Sequence, residues 1–474
     1  MDTTLKLEST TSQRDQAVEH TSQYLRNGGF EEDLSKLVAF KTETASQGDI
    51  ANKRLYLETI IAPVLEELGF IANFYPNPDP SAGPLAIYTL VEDESLPTVL
   101  MYGHGDVVPG LEGQWEEGRS PWVLSKADGK LFGRGTADNK GQHWINISAI
   151  KAVYAVRGRL GFNCKILLET EEESGSPGLE AFCRDHREEL LADVLIASDG
   201  PRIRTDRPTI ALGARGNFNF DMSINYRESG RHSGNWGGLI KDPGIRLAHA
   251  IASIADERGS ILVKGWRPEF PSNRIRDLLS ASPLAKATEA NGADGDWGES
   301  ELTPAERVYA WNNFAVLAAK LGYPEKPVNA IAPRAWARCQ LRFLAGLETD
   351  AVLPALREHL DERGFLDVEV TPSRSTYWQG TSTDPDNPWV QRVARSIAAT
   401  EGTEPDLIPG IGGSLPNHAF YDLIGMPTIW IPHSYNECSQ HAPNEHIRLD
   451  ITESALKIMT GVFWDIGSEN SGGA

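Results

Sequence analysis

His104, Asp138, Glu173, Asp199 and His441 are the residue types that a pair of hydrolytic metal ions requires, although they lie far apart along the chain. Imidazole nitrogens and carboxylate oxygens hold Zn²⁺ and similar ions, and hydrolytic sites place two such ions roughly 3.5–4 Å apart. A pair also needs one ligand shared by both ions, and a carboxylate has the two oxygens for it. The set divides into His104 and Asp199 for one ion, Glu173 and His441 for the other, and Asp138 as the bridge. Asp106 in Gly103-His104-Gly105-Asp106 is spaced to orient the imidazole through its other nitrogen. Glu172, next to Glu173, is then a free carboxylate able to take a proton from an attacking water. Glu171, the first of the three glutamates, reads as a solvated turn residue.

These residues need a scaffold that brings them together. At least four of the five are expected to close an apolar run that reads as a strand. In open α/β sheets, ligands gather in the crevice beyond the carboxyl ends of the strands. Residues 30–40 and 53–68 have helical spacing, and 85–91 and 98–102 are short β-branched or apolar runs. A long helix is expected after Asp138, then strands at 165–168 and 194–197 with a helix around 179–191 between them. This alternation predicts an α/β fold with a mostly parallel, doubly wound sheet.

The pattern changes after Gly213. Strands at 217–225, 335–343 and 366–371, with helices at 239–256 and 349–363, suit a small two-layer α+β domain. Residues 280–304 are polar and acidic and read as a surface loop. From Asn387 the α/β pattern resumes, with a helix through Ala399 and a strand at 427–432. The simplest account is a discontinuous catalytic domain, 1–212 and 382–474, with a second domain, 213–381, inserted. Residues 468–474 read as a disordered end.

Bulk properties narrow the partners. A net charge of -21 over 474 residues argues against nucleic acid and anionic membranes, which call for a basic face. No apolar run reaches the ~18 residues of a membrane span, and the N-terminus has no secretory pattern. Cys164, Cys183, Cys339 and Cys438 show no paired spacing and read as reduced thiols, which points to a cytoplasmic protein. The remaining histidines, His143 and His433 among them, read as structural.

Several runs together resemble a known family. They are Gly103-His104-Gly105-Asp106-Val107-Val108-Pro109, Gly133-Arg134-Gly135 with Asp138-Asn139-Lys140-Gly141, Glu172-Glu173-Ser174-Gly175-Ser176, Arg215-Gly216, His232-Ser233-Gly234, Gly412-Gly413-Ser414 and His441 with Asn444-Glu445. The pattern resembles the co-catalytic zinc metallopeptidase family of carnosine dipeptidases, aminoacylases, acetylornithine and succinyl-diaminopimelate deacylases, and glutamate carboxypeptidase. The resemblance implies the five ligands above, Glu172 as general base, and a cis peptide at Asp138–Asn139. It further implies that His232 reaches an active site across a homodimer. It places Arg342, Asn329, Gly413 and Ser414 at the substrate, and it makes the inserted ferredoxin-like domain a lid and dimerisation module. Gly105 departs from relatives, which often carry a larger residue there. The expected activity is hydrolysis of an amide or peptide bond in a small carboxylate-bearing substrate. A dipeptidase comes first and an N-acyl amino acid deacylase second, with a non-catalytic binding relative last. The expected cofactors are two divalent ions, Zn²⁺ foremost, with Mn²⁺ or Co²⁺ suiting the same donors.

Overall fold

The computed structural model describes residues 12–44, 50–286, 293–373 and 377–468. The expectation for 468–474 falls almost wholly outside these residues, and part of the 280–304 loop does as well. Among the described residues the strands used below are, in chain order, β1 (Ile71–Tyr75), β2 (Leu85–Leu90), β3 (Thr98–His104), β4 (Asn163–Glu169), β5 (Val194–Ala197), β6 (Thr209–Ala211), β7 (Gly216–Asn225), β8 (Asn313–Leu321), β9 (Arg334–Phe343), β10 (Glu369–Pro372), β11 (Asp406–Ile408) and β12 (Thr428–Trp430). The chain forms two compact units. The first comprises Met1–Ala211, Thr383–Asp406 and Ala419–Ala474, and the second Leu212–Ser382 and Leu407–His418. Residues 407–418, read from the sequence into the first domain, thus pack with the second unit.

The first unit is α/β. Its sheet runs β1-β2-β4-β3-β5-β12-β6 and ends on β11, of which Asp406 belongs to this unit. The four central strands β4, β3, β5 and β12 are parallel, which is where the expected parallel character resides. β1 and β2 on one flank and β6 on the other pair antiparallel. β3, β4 and β5 are buried almost throughout, as strands covered on both faces must be. The helix Lys140–Arg157 follows Asp138 as expected and stops at Gly158, whose φ of 77° suits glycine. The expected helix at 53–68 is interrupted. It runs as Ile50–Leu55, a π-helical turn Tyr56–Ile61, and Ala62–Glu66.

The second unit has the βαββαβ order of a ferredoxin-like fold, with an antiparallel sheet β8-β9-β7-β10. β7 and β9 alternate between buried and half-buried residues, with Asn225 and Arg334 exposed at the paired ends. Helices Pro243–Ile254 and Thr349–Glu362 supply Leu247, Ile254, Val352 and Leu356 to the core that those buried residues form. β8 lies outside the sequence expectations because it is an edge strand, exposed along most of its length, and has no period-two burial to reveal it.

Candidate metal centre

The parallel register of β3 and β4 sets the first contacts. His104 pairs with Glu169 at the ends of these strands, and Gly105 N–H donates to the Glu169 carbonyl at 2.8 Å. The chain leaving β4 therefore turns beside His104, and residues Glu172–Ser174 form one 3-10 turn there. Asp199 enters two residues beyond β5. Only these two donors sit at strand ends. Glu173 lies on the 3-10 turn, and Asp138 precedes the helix Lys140–Arg157. His441 occupies a loop with φ of 61°, well past β12. The expectation that nearly all close a strand is therefore corrected. The loops are held by hydrogen bonds of their own.

The five donors converge in two groups. His104, Asp138 and Asp199 offer atoms within 4.8 Å of one another, and so do Asp138, Glu173 and His441. Asp138 belongs to both groups. Its Oδ1 is 3.0 Å from His104 Nε2, and its Oδ2 is 3.0 Å from His441 Nε2. Asp199 Oδ2 lies 3.6 Å from the same His104 nitrogen, and Glu173 Oε2 lies 3.0 Å from His441 Nε2. The Asp138–Asn139 peptide is cis.

Electrostatics in this cluster favour added positive charge. His104 is held protonated well above the ordinary imidazole range. Burial opposes that charge, but Asp106, Asp138 and Asp199 outweigh it. Asp138 and Glu173 raise His441 to about 10. Burial, with Asp138 adding to it, lifts Glu173 to about 7. Glu172 is pushed well above the carboxylate range, first by burial and then by the anions Asp199, Asp138 and Glu173. The donor set fits divalent ions on chemistry, and one atom awaits such a partner: Glu173 Oε1 is buried without a hydrogen bond among the described residues.

Asp106 serves two tasks. Its Oδ1 lies 3.3 Å from His104 Nδ1. Its two oxygens also accept the backbone N–H of Glu172 (3.2 Å) and Glu173 (3.1 Å). Other supports escaped the sequence. Glu445 is buried, pairs with Arg134 at 2.8 Å, and accepts the N–H groups of Gly135, Ala137 and Asp138. Gly135 in that loop has φ of 86°, the left-handed region glycine occupies without penalty. Glu171 is not solvated. It is 6% exposed and bonded to Lys53. Three glutamates in a row look like a surface turn, and nothing local in the sequence announces a lysine so far upstream.

The second unit gathers its candidates in two places. His232 ends a short strand paired with Ala330, and Ser233 N–H donates to the Asn329 carbonyl at 2.9 Å, so His232 and Asn329 are neighbours. The His232 side chain is exposed. On β9, Arg342 donates to Ser414 Oγ at 3.1 Å, which joins it to the Gly413-Ser414 turn. Among the described contacts, Arg342 meets only the neutral oxygens of Ser414 and Gln340.

With this geometry in view, residues 100–465 match the family model for peptidase family M20/M25/M40. A Beta-Ala-His dipeptidase of Homo sapiens is 26% identical over 381 residues, which cover 77% of this chain and 74% of that protein. A cysteinylglycine-S-conjugate dipeptidase of Corynebacterium striatum is 29% identical over 360 residues, covering 74% and 76%. The fold is shared with an M20 family metallo-carboxypeptidase, Sso-CP2 from Sulfolobus solfataricus. The TM-score is 0.77 at 24% identity, over 92% of this chain and 99% of that one.

Proposed function

The chain belongs to peptidase family M20/M25/M40, and on that premise we propose that it is a dinuclear-metal dipeptidase acting on small substrates with a free carboxylate. The observation that carries the reading is Asp138, one oxygen toward His104 and the other toward His441. That arrangement suits a carboxylate shared between two ions. His104 and Asp199 would hold one ion, and Glu173 and His441 the other, with Zn²⁺, Mn²⁺ and Co²⁺ all matching the donors. Ions held there would supply Lewis acidity toward the scissile carbonyl and toward water.

The chain's own residues supply the rest. Glu172, buried beside three carboxylates, has the raised proton affinity that suits a general base. It takes the proton of the attacking water and delivers it to the leaving amine. Arg342 lacks an acidic partner among its described contacts and is available for the substrate carboxylate, with Ser414 and the Gly413 turn beside it. Asn329 offers a further polar contact. His232 is exposed and stands ready to stabilise the developing oxyanion in a partner's site. The edge strand β8, with Val316, Leu317 and Leu321 exposed, supports homodimerisation through the second unit as lid and dimer module. The four cysteines are buried and free, which supports a cytoplasmic setting. No described helix is long and apolar enough to cross a membrane.

The named relatives are dipeptidases, and this directs the test. The protein, reconstituted with each metal in turn, is assayed against β-Ala-His and Cys-Gly and against the same peptides N-acetylated. Hydrolysis of the free-amine dipeptides is expected. Turnover confined to the acetylated series would make it an N-acyl amino acid deacylase.

A further inference from the structure

Helix Ile50–Leu55 sends one lysine into the interior. Lys53 is 1% exposed, and its Nζ donates to Glu171 Oε1 at 2.6 Å. The same oxygen accepts Gly83 N–H at 2.8 Å, and Glu171 Oε2 accepts Ser174 Oγ at 3.0 Å. The Glu171 carbonyl receives the N–H groups of Ser174 (3.2 Å) and Ser176 (3.0 Å). Glu171 is therefore the knot that closes the turn carrying Glu172 and Glu173. Asp106 holds that turn from its other side.

Stability is a poor reason for such a pair. Desolvating two charges offsets most of their attraction, and apolar replacements are often as stable or more so. What the pair does supply is direction, because three donors converge on one carboxylate next in sequence to Glu172. The space is also closed. A Cβ on Gly83 would stand 2.9 Å from Lys53 Cδ and 2.4 Å from Thr170 Oγ1, so the lysine stem runs against bare backbone. Neither Lys53 nor Glu171 is among the grouped metal donors.

We propose that Lys53 is a positioning residue for the hydrolysis, fixing through Glu171 the turn that aims the Glu172 carboxylate. The inference rests on Glu172 being the proton acceptor. A small misplacement of such a group, caused from a distance, can cost about 10²-fold in rate.

The test compares Lys53→Met, the uncharged pair Lys53→Met/Glu171→Gln, Glu172→Gln, and Lys53→Met/Glu172→Gln, each with its metal content and fold measured. Lys53→Met is expected to lower kcat by about 10²-fold with KM within about threefold of the parent, because only alignment is lost. In the Glu172→Gln background the same change should alter the residual rate less than about twofold, since the group being aimed is gone. The uncharged pair leaves no unpaired buried charge, so it keeps the question answerable if Lys53→Met alone folds poorly. It too should turn over slowly. Parental kcat in the folded, metal-loaded uncharged pair would overturn the inference, as would an equal loss with and without Glu172. A Glu172→Gln protein as active as the parent would overturn the reading of Glu172 and this inference with it.

Discussion

Asp106 stands behind His104: Nδ1 lies 3.1 Å from the Asp106 carbonyl oxygen and 3.3 Å from its Oδ1, which leaves Nε2 to face Asp138 and Asp199. An imidazole fixed in this way keeps Nε2 turned toward the donor cluster. Its carboxylate partner is then part of the metal site without touching the ion. Asp106→Ala should weaken metal binding about 10–100-fold, the usual cost of losing such a partner. Competition with a chromophoric chelator measures it, and parental affinity would reduce Asp106 to a holder of the Glu172–Glu173 turn.

Glu172→Gln keeps the side-chain shape and removes the proton acceptor. kcat should fall by about 10²–10⁴-fold, the span typical of general acid–base catalysis. Both ions should remain bound, because Glu172 is outside the two donor groups. A fall in metal content parallel to the fall in rate would instead mark Glu172 as a ligand.

Metal binding should release protons at pH 8. In the metal-free protein His441 is raised to about 10 by Asp138 and Glu173, and His104 is raised as well against its burial, so at pH 8 both carry their protons in the folded state. An ion taking either Nε2 must displace its proton. The sign follows: the share released by His441 is large below about pH 10 and fades above it, and apparent affinity rises with pH over the same range. Calorimetric titrations in two buffers of different ionisation enthalpy count the protons. Binding heats that do not depend on the buffer at pH 8 would contradict the assignment of His104 and His441 as ligands.

Gly105→Ala should destabilise the protein. A Cβ there would lie 2.7 Å from Tyr56 Cε1 and 2.8 Å from Cδ1. Tyr56 is fully buried and hydrogen-bonded to His143 at 2.8 Å, so its ring cannot swing aside. Overpacking of this kind costs about 1–3 kcal/mol. Urea unfolding of the metal-loaded protein gives the value, and combining the change with Tyr56→Leu should recover part of it. An unchanged midpoint in Gly105→Ala would show that the ring yields.

The same pair explains what the sequence made legible and what it did not. Gly105 stands out as a departure from the family pattern, but its reason lies in Tyr56 on the π-helical turn Tyr56–Ile61. No short-range period reports a π-turn. The donors at 104 and 199 could be read because an apolar run leads straight into each. His441 was legible only by type and motif, since its loop is shaped by positive φ angles at Ser439, His441 and Asn444 rather than by a strand. Lys53 with Glu171, and Arg134 with Glu445, pair across 118 and 311 residues. Each half alone looks like an ordinary surface charge. Strand β8 was hidden for the opposite reason: its exposed edge gives it no buried face to pattern.

His232→Ala should lower kcat and kcat/KM together, because an oxyanion contact exists only in the transition state. Losing one such donor costs about 10²–10³-fold in comparable sites. The side chain is exposed, and its Nδ1 already accepts Gly234 N–H at 3.2 Å, which leaves Nε2 as the atom to present. Whether it serves its own chain or a partner's is decided by mixing. A dimer of one His232→Ala chain and one Glu172→Gln chain contains one site lacking both groups and one intact site if His232 acts across the interface. If His232 acts within its own chain, each site lacks one group and neither works. Mixed dimers, isolated by two affinity tags, should therefore recover about half the parental rate per dimer, as independent sites would give. Inactive mixed dimers of confirmed composition would place His232 in its own chain's site or make it structural.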